Sequence, residues 1–363
     1  MIGMVTITRN IIKITALCLM LAALCSCAPK YARFEESFTG EFDTYTVIVG
    51  YAHSKKEFDG YVKIIRDRLL DLHQKYDIYN SYEGINNIKT INENAGISPV
   101  AVDKDIIELL KFGKQAYDDT NGAVNIALGP VLRIWHSYRN MGLEDPENAK
   151  LPPVYALRDA AELSCIDGLL IDEVAGTAYL TEKGMSLDVG AVAKGFAVQL
   201  AVNDAKEAGM TFALVNAGGD VVSVGGPRDG IRERWAIGVQ DPIKGGQDIF
   251  DTVYVNDASI ATSGNYQRYY TVGGKRYNHI IDTETLMPAE RFASVTVIAE
   301  GSGIADMLST GLFILPVDEG KAILSKAGGE AVWIHHDGTA EMTPGYEKIS
   351  KTFGGLPHES SCV

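Results

Sequence analysis

Between Lys55 and Tyr76 the apolar residues Tyr61, Ile64, Ile65, Leu69 and Leu72 recur every three or four positions, and this spacing predicts a helix. A second helix is expected over Lys104 to Asp118, with Ile106, Ile107, Leu110 and Phe112 as its apolar stripe and Asn121-Gly122 as its stop. Two more are expected over Val192 to Glu207 and Gly303 to Leu315. Short runs of strand composition punctuated by glycine turns predict strands at Tyr45 to Val49, Gly168 to Asp172, Thr177 to Thr181, Met185 to Asp188, Phe212 to Asn216, Trp235 to Val239, Thr252 to Asn256, Tyr269 to Val272 and Ser294 to Ile298. Gly129 to Pro153 reads as irregular or only weakly helical, a surface excursion marked by Pro146, Pro152 and Pro153. Helices and strands are segregated more than alternated. The expected class is therefore α+β, a mixed or antiparallel sheet core with packed helices.

The N-terminus follows a different logic. Arg9 and Lys13 precede an apolar run from Ile14 to Leu24, which is too short to span a bilayer comfortably and has the form of a secretory signal. It ends in Leu24-Cys25-Ser26-Cys27, which resembles the lipobox of bacterial lipoproteins. That resemblance implies cleavage after residue 26, lipid on Cys27, and an extracytoplasmic domain anchored to a bacterial membrane. Residues 27–37 are expected to form a tether and 351–363 a mobile tail. Of five cysteines, only Cys165 and Cys362 would then remain as thiols, and no Cys/His metal spacing is present.

Composition narrows the remaining options. With 363 residues, 46% hydrophobic and 22% charged, the chain can build a large core without disulfide or metal staples. Its formal charge of −14, with no long basic run, argues against a nucleic-acid partner, so an anionic ligand must be gripped locally.

Four segments offer such chemistry. Met185 to Ala197 runs from a carboxylate, Asp188, through a glycine turn into a helix start carrying Lys194, which is either an anion cradle or a tight turn with a surface lysine. Ala213 to Asp220 is a buried strand ending in Gly218-Gly219, a turn that also admits a close ligand. Ser259 to Tyr270, followed by Lys275 to Asp282, gathers hydroxyls, amides, Arg268 and His279, the last a candidate general base or simply a satisfied histidine. Asp306 and Thr310 share one face of an apolar helix, either as hard oxygen ligands for Mg²⁺ or Ca²⁺ or as an N-terminal aspartate with a back-bonded threonine.

In their order and spacing these segments resemble the ApbE family of flavin transferases. The matching blocks are Asp188 to Ala197, Asn216 to Asp220, Thr262 to Tyr269, His279 to Asp282 and Ala305 to Thr310, with looser agreement at Tyr79-Asn80 and Gly122 to Pro130. The resemblance implies one catalytic domain over 38–350 with an ApbE-like, T-fold-related architecture. It also implies transfer of FMN from FAD to a threonine of a target protein, AMP being released. FAD hydrolysis to FMN and AMP, or flavin binding without catalysis, are the alternatives. By family analogy His279 is the catalytic base, and Phe42, Tyr79, Ala123, Val124, Asn125, Asp188, Lys194, His279 and Ile280 contact FAD. The Ala191 carbonyl, Asp306 and Thr310 hold Mg²⁺. The expected partners are threonine-bearing proteins, subunits of membrane redox complexes. Two departures stand out: Phe42-Asp43-Thr44 where many members have Met-Gly-Thr, and Asn125 in place of Asp.

Overall fold

A computed structural model describes residues 31–245 and 248–354. Strands β1 (Ala32–Thr39) and β2 (Tyr45–Ala52) form an antiparallel hairpin with Ala32 opposite Ala52 and Thr39 opposite Tyr45. Residues 32–37, expected within the tether, are thus ordered sheet, because Phe34 and Phe38 give that segment a face to bury. Helix α1 (Lys55–Tyr76) has the expected bounds. Ser54 caps it by accepting from the Glu57 N–H, and its buried stripe runs Phe58, Val62, Ile65, Leu69, Leu72 and Tyr76.

There follow α2 (Ile88–Glu93), β3 (Val100–Ala101), α3 (Lys104–Asp119), α4 (Gly129–Glu144), α5 (Val154–Ala161), β4 (Leu169–Asp172) and β5 (Thr177–Leu180). The expectation for Gly129 to Pro153 is corrected by α4, a 16-residue helix. Pro130 sits in its first turn, where no N–H is needed and the ring favours helix, and Val131 and Trp135 bury one stripe. Met185 to Asp188 is also corrected: it is irregular chain rather than strand, tied by an Asp188 N–H to Ile126 carbonyl bond of 2.8 Å.

The second half comprises α6 (Ala193–Glu207), β6 (Ala213–Ala217), β7 (Asp220–Val224), β8 (Trp235–Gln240), β9 (Ile249–Val255), β10 (Ser259–Gly264), β11 (Tyr269–Val272), β12 (Lys275–Asn278), β13 (Ser294–Ala299), α7 (Ser302–Ile314), α8 (Val317–Ala327), β14 (Glu330–Ile334), β15 (Ala340–Met342) and α9 (Pro344–Ile349). Eight strands make one sheet in the order β1-β2-β6-β7-β10-β13-β14-β15, each pairing antiparallel. Every residue of β7 and β13 is buried, so the middle of the sheet is covered on both faces. Helices α1, α6 and α7 cover one face and the β8–β9 hairpin with α9 the other. A third cluster of Leu128, Val131, Trp135, Leu157, Tyr270 and Ile281 joins α4 and α5 to the β11–β12 hairpin. The fold is α+β, as the sequence pattern indicates.

The outer layer is locked by a buried carboxylate. Asp251 accepts from Tyr346 Oη at 3.0 Å, Ser350 Oγ at 2.6 Å and the Thr352 N–H at 3.0 Å, which also pins the first residues of the expected mobile tail. Asp251→Ala leaves these donors buried and unpaired. We expect urea unfolding to show a loss of about 3 kcal/mol.

Candidate functional site

Side chains from three elements converge where α6 begins. Lys194, the second residue of α6, forms an ion pair with Asp220 at the start of β7, and its Nζ lies 3.7 Å from Oδ1 of Asp306 in α7. The other oxygen of Asp306 accepts the Gly195 N–H at 2.8 Å. No side chain of its own segment caps α6, so Asp306 satisfies a donor that the helix start leaves free and sets a negative charge against the positive end of the dipole. The support is mutual, since Gln199 of α6 accepts the Ser302 N–H at the head of α7.

Such an approach requires glycine at 195. A Cβ there would overlap Asp306 Cβ and the Ser302 carbonyl oxygen. Behind Asp306 runs a hydroxyl chain: Ser309 Oγ donates to the Asp306 carbonyl at 2.9 Å, and Ser263 Oγ lies 2.8 Å from Ser309 Oγ and 3.3 Å from Thr310 Oγ1.

The charge balance here is unusual for a buried place. Asp220 is 2% exposed and Asp306 7%. Burial, then the Asp306 carboxylate, push Asp220 up to about 8 against the pull of Lys194. Burial also disfavours the Lys194 ammonium, but the two carboxylates outweigh it and hold the lysine above its ordinary value. Two carboxylates thus share one cation, and a second cation would relieve them. Among the described residues, no group of three or more His, Cys, Asp or Glu side chains is arranged to hold a metal. Any ion at Asp306 therefore draws on hydroxyl, carbonyl or ligand oxygens, a donor set that fits Mg²⁺ and does not suit zinc. Thr310 lies one turn from Asp306 on α7, and Ala191 lies in the turn entering α6.

A second group is linked to this one electrostatically through Arg268, whose charge acts on Lys194 and on His279. His279, after β12, places Nδ1 3.2 Å from the Arg268 carbonyl, which can only accept, so Nδ1 carries the proton and Nε2 keeps a free lone pair. Burial, reinforced by the charges of Arg268, Arg139 and His136, lowers His279 to about 4 despite that hydrogen bond. Asp188 accepts the Gly190 N–H at 3.0 Å and stands 4.0 Å from Nδ1 of His136, whose Nδ1 is also 3.2 Å from the Tyr79 hydroxyl.

The ApbE family profile matches residues 42–333. The chain belongs to the ApbE family. It is 30% identical over 348 residues to the FAD:protein FMN transferase of Treponema pallidum, covering 92% of this chain and 93% of that protein. It is likewise 30% identical over 262 residues to a Klebsiella pneumoniae protein of the same name, covering 72% and 78%. The solved ApbE protein of Thermotoga maritima superposes with a TM-score of 0.74 at 27% identity, covering 88% of this chain and 99% of that one. The flavin transferase ApbE of Vibrio cholerae shares the fold at 23% identity and a TM-score of 0.71, over 86% and 97%.

Within this ApbE chain the residues singled out from sequence fall into distinct settings. Lys194 and Asp306 meet at the head of α6, with Thr310 one turn beyond Asp306 on α7 and against Ser263, while Asp188, Tyr79 and His279 share the electrostatic neighbourhood of Arg139, Arg268 and His136. Ala123, Val124 and Ile280 are buried, and the Ile280 N–H is taken by Asn278 at 2.9 Å. The Asn125 amide donates to the Ser164 carbonyl at 2.9 Å and its oxygen accepts the Ala127 N–H at 2.8 Å. Phe42 packs on α1, with its ring 5.5 Å from that of His73.

His136 and Arg139 were missed because their helix was read as irregular. Pro130 taken as a helix start would have put them on one face at i and i+3. Asp220 closes the Asn216 to Asp220 block, where the sequence alone assigns it no role.

Gly195→Ala tests the junction of α6 and α7. Overpacking should cost about 2 kcal/mol in chemical denaturation, and cation-linked stabilisation of the fold should be lost with it.

Proposed function

We propose that this chain is a Mg²⁺-dependent FAD:protein FMN transferase that attaches FMN through its phosphate to a threonine hydroxyl of a target protein. The observation that carries this reading is the pair of buried carboxylates on one lysine at a helix N-terminus, together with a histidine whose Nε2 lone pair is left free by the Nδ1 contact to Arg268. Family membership and the relatives' name support it.

Asp306, Thr310 and the Ala191 carbonyl would hold Mg²⁺, with Asp220 close by. When bound, the ion would neutralise charge on the FAD pyrophosphate, which is what phosphoryl transfer chiefly requires. Lys194 and the α6 N-terminus add positive potential on the same side. His279 Nε2 takes the proton of the threonine hydroxyl as its oxygen bonds to the FMN phosphorus, and the bond to the AMP oxygen breaks. The lowered His279 value keeps this base unprotonated throughout the neutral range, and a pyrophosphate beside Arg268 would raise its proton affinity as the reaction begins.

Location is part of the proposal. The apolar run to Leu24 and Cys27 lie outside the described residues, and among those described no helix is long and apolar enough to cross a membrane. Lipid on Cys27 would anchor the domain outside the cytoplasm, and with β1 starting at Ala32 the linker is shorter than residues 27–37 suggest. Its targets would be subunits of membrane redox complexes.

Incubation with FAD and Mg²⁺, with and without a threonine-containing acceptor peptide, tests the reading. Flavinylated peptide plus AMP is the expected result. AMP released without peptide labelling indicates an FAD hydrolase, and saturable binding of unchanged FAD indicates a carrier.

Two variants and a pH profile sharpen it. His279→Asn should slow transfer about 100-fold or more, and Asp306→Ala should abolish dependence on Mg²⁺. Because the base acts unprotonated and its value is lowered to about 4, kcat/KM for FAD should stay level through mildly acid pH and fall only as pH approaches that value.

A further inference from the structure

Tyr79 presents a large ring beside His136 with little holding it. The residue is 64% exposed, and its hydroxyl turns to His136. Its backbone N–H is fixed by Asp77 Oδ1 at 2.6 Å, which orients the main chain and leaves the ring free to turn. Among the described residues, the hydroxyl's one hydrogen-bond partner is His136 Nδ1 at 3.2 Å.

His136 is well placed to hold it. It lies on α4, outside the Val131 and Trp135 stripe that packs that helix into its core, and Asp188 Oδ2 lies 4.0 Å from the same Nδ1, beyond hydrogen-bond distance. With the proton on Nε2, Nδ1 offers one lone pair, which the Tyr79 O–H can fill. Burial holds His136 below its ordinary value, Arg139 adds to this, and Asp188 opposes it. The neutral, accepting form is therefore the resting one.

We propose that His136 is a positioning residue that latches the Tyr79 ring as an aromatic wall for the planar ring system of the flavin. This rests on the FAD reading above and adds to it a residue from α4. Restraining a ring before the ligand arrives removes ordering cost from the binding step, so the latch should act on affinity more than on turnover. Loss of one neutral hydrogen bond corresponds to about a fivefold change in affinity.

The full chain in detergent is titrated with FAD in the presence of Mg²⁺, comparing wild type with His136→Leu, Tyr79→Phe, the double variant and His136→Asn. Each of His136→Leu and Tyr79→Phe should weaken FAD binding about fivefold, and the double variant no further, because both remove the same bond. His136→Asn, whose amide oxygen can accept near the Nδ1 position, should recover most of the loss, and KM for FAD should move more than kcat. Fluorine NMR of 3-fluorotyrosine at position 79, without FAD, should report a restrained ring in wild type and a freely averaging one in His136→Leu. Additive losses in the double variant, unchanged affinity in His136→Leu, or an equally mobile ring in wild type would each overturn the latch. A wild-type chain that fails to bind FAD, yet shows the restrained ring and its release, would overturn the flavin assignment and leave the latch standing.

Discussion

The contact on which the site depends is the Asp306 carboxylate set against the head of α6. Two buried helices meet there end to side, and neither start has a cap from its own segment. Each supplies the other's: Asp306 accepts the Gly195 N–H, and Gln199 accepts the Ser302 N–H. A free N–H at a buried helix start is costly, so the exchange fixes both the register and the closeness of α6 and α7. Because Lys194 precedes Gly195, the same contact brings the ammonium to both carboxylates. The charge cluster is thus the helix junction itself, and its geometry is as stiff as the core around it.

That stiffness gives the charge imbalance a use. Asp220 and Asp306 are brought together by β7 and α7, elements the sheet would pack closely whatever their side chains. One lysine satisfies one carboxylate's worth of charge. Burial, then the remaining negative charge, raise the proton affinity of Asp220 and make the place receptive to a cation, which a flexible pair of aspartates in water would not be. Around His279 the sign reverses: burial, then the charges of Arg268 and Arg139, keep it unprotonated. A protein of −14 overall therefore keeps a cation-seeking pair of carboxylates and a cluster of cationic side chains within the electrostatic reach of Arg268, which acts on both Lys194 and His279.

How much of this is legible in the sequence depends on the kind of signal. α1, α3, α6 and α7 announce themselves by periodicity, and the spacing of Asp306 and Thr310 on α7 by one helical turn. The reciprocal capping is invisible, because Asp306 and Gly195 are far apart in the chain and nothing local marks them as partners. α4 was obscured by prolines that belong to its start and to the loop beyond its end, and with it went His136 and Arg139. β1 was hidden by its charges, since an edge strand with Arg33, Glu35 and Glu36 pointing outward resembles a linker until its pairing with β2 is seen. β7 and β14, buried throughout or nearly so, lack the alternation that exposes a half-buried strand.

The two departures from the family pattern acquire physical reasons. An aspartate at 125 could accept the Ala127 N–H but could not donate to the Ser164 carbonyl, so the asparagine closes a loop that lies against Asp188 through Ile126. Phe42 adopts a left-handed conformation with φ of 53°, a strained choice for a bulky residue that persists where its surroundings over-determine it. Here they do: its N–H bonds His73 Nδ1 at 3.3 Å and its ring rests against His73 and Tyr76 of α1. Two residues on, Thr44 packs over Gly218, which has φ of 60° and no room for a Cβ, in the turn that delivers Asp220 to Lys194. The strained conformation of Phe42 is therefore held by α1, and Thr44 packs the same segment against the turn beside the charge cluster. Phe42 thus braces the loop between β1 and β2 on α1, at a distance in the chain from the carboxylates and the lysine at the head of α6.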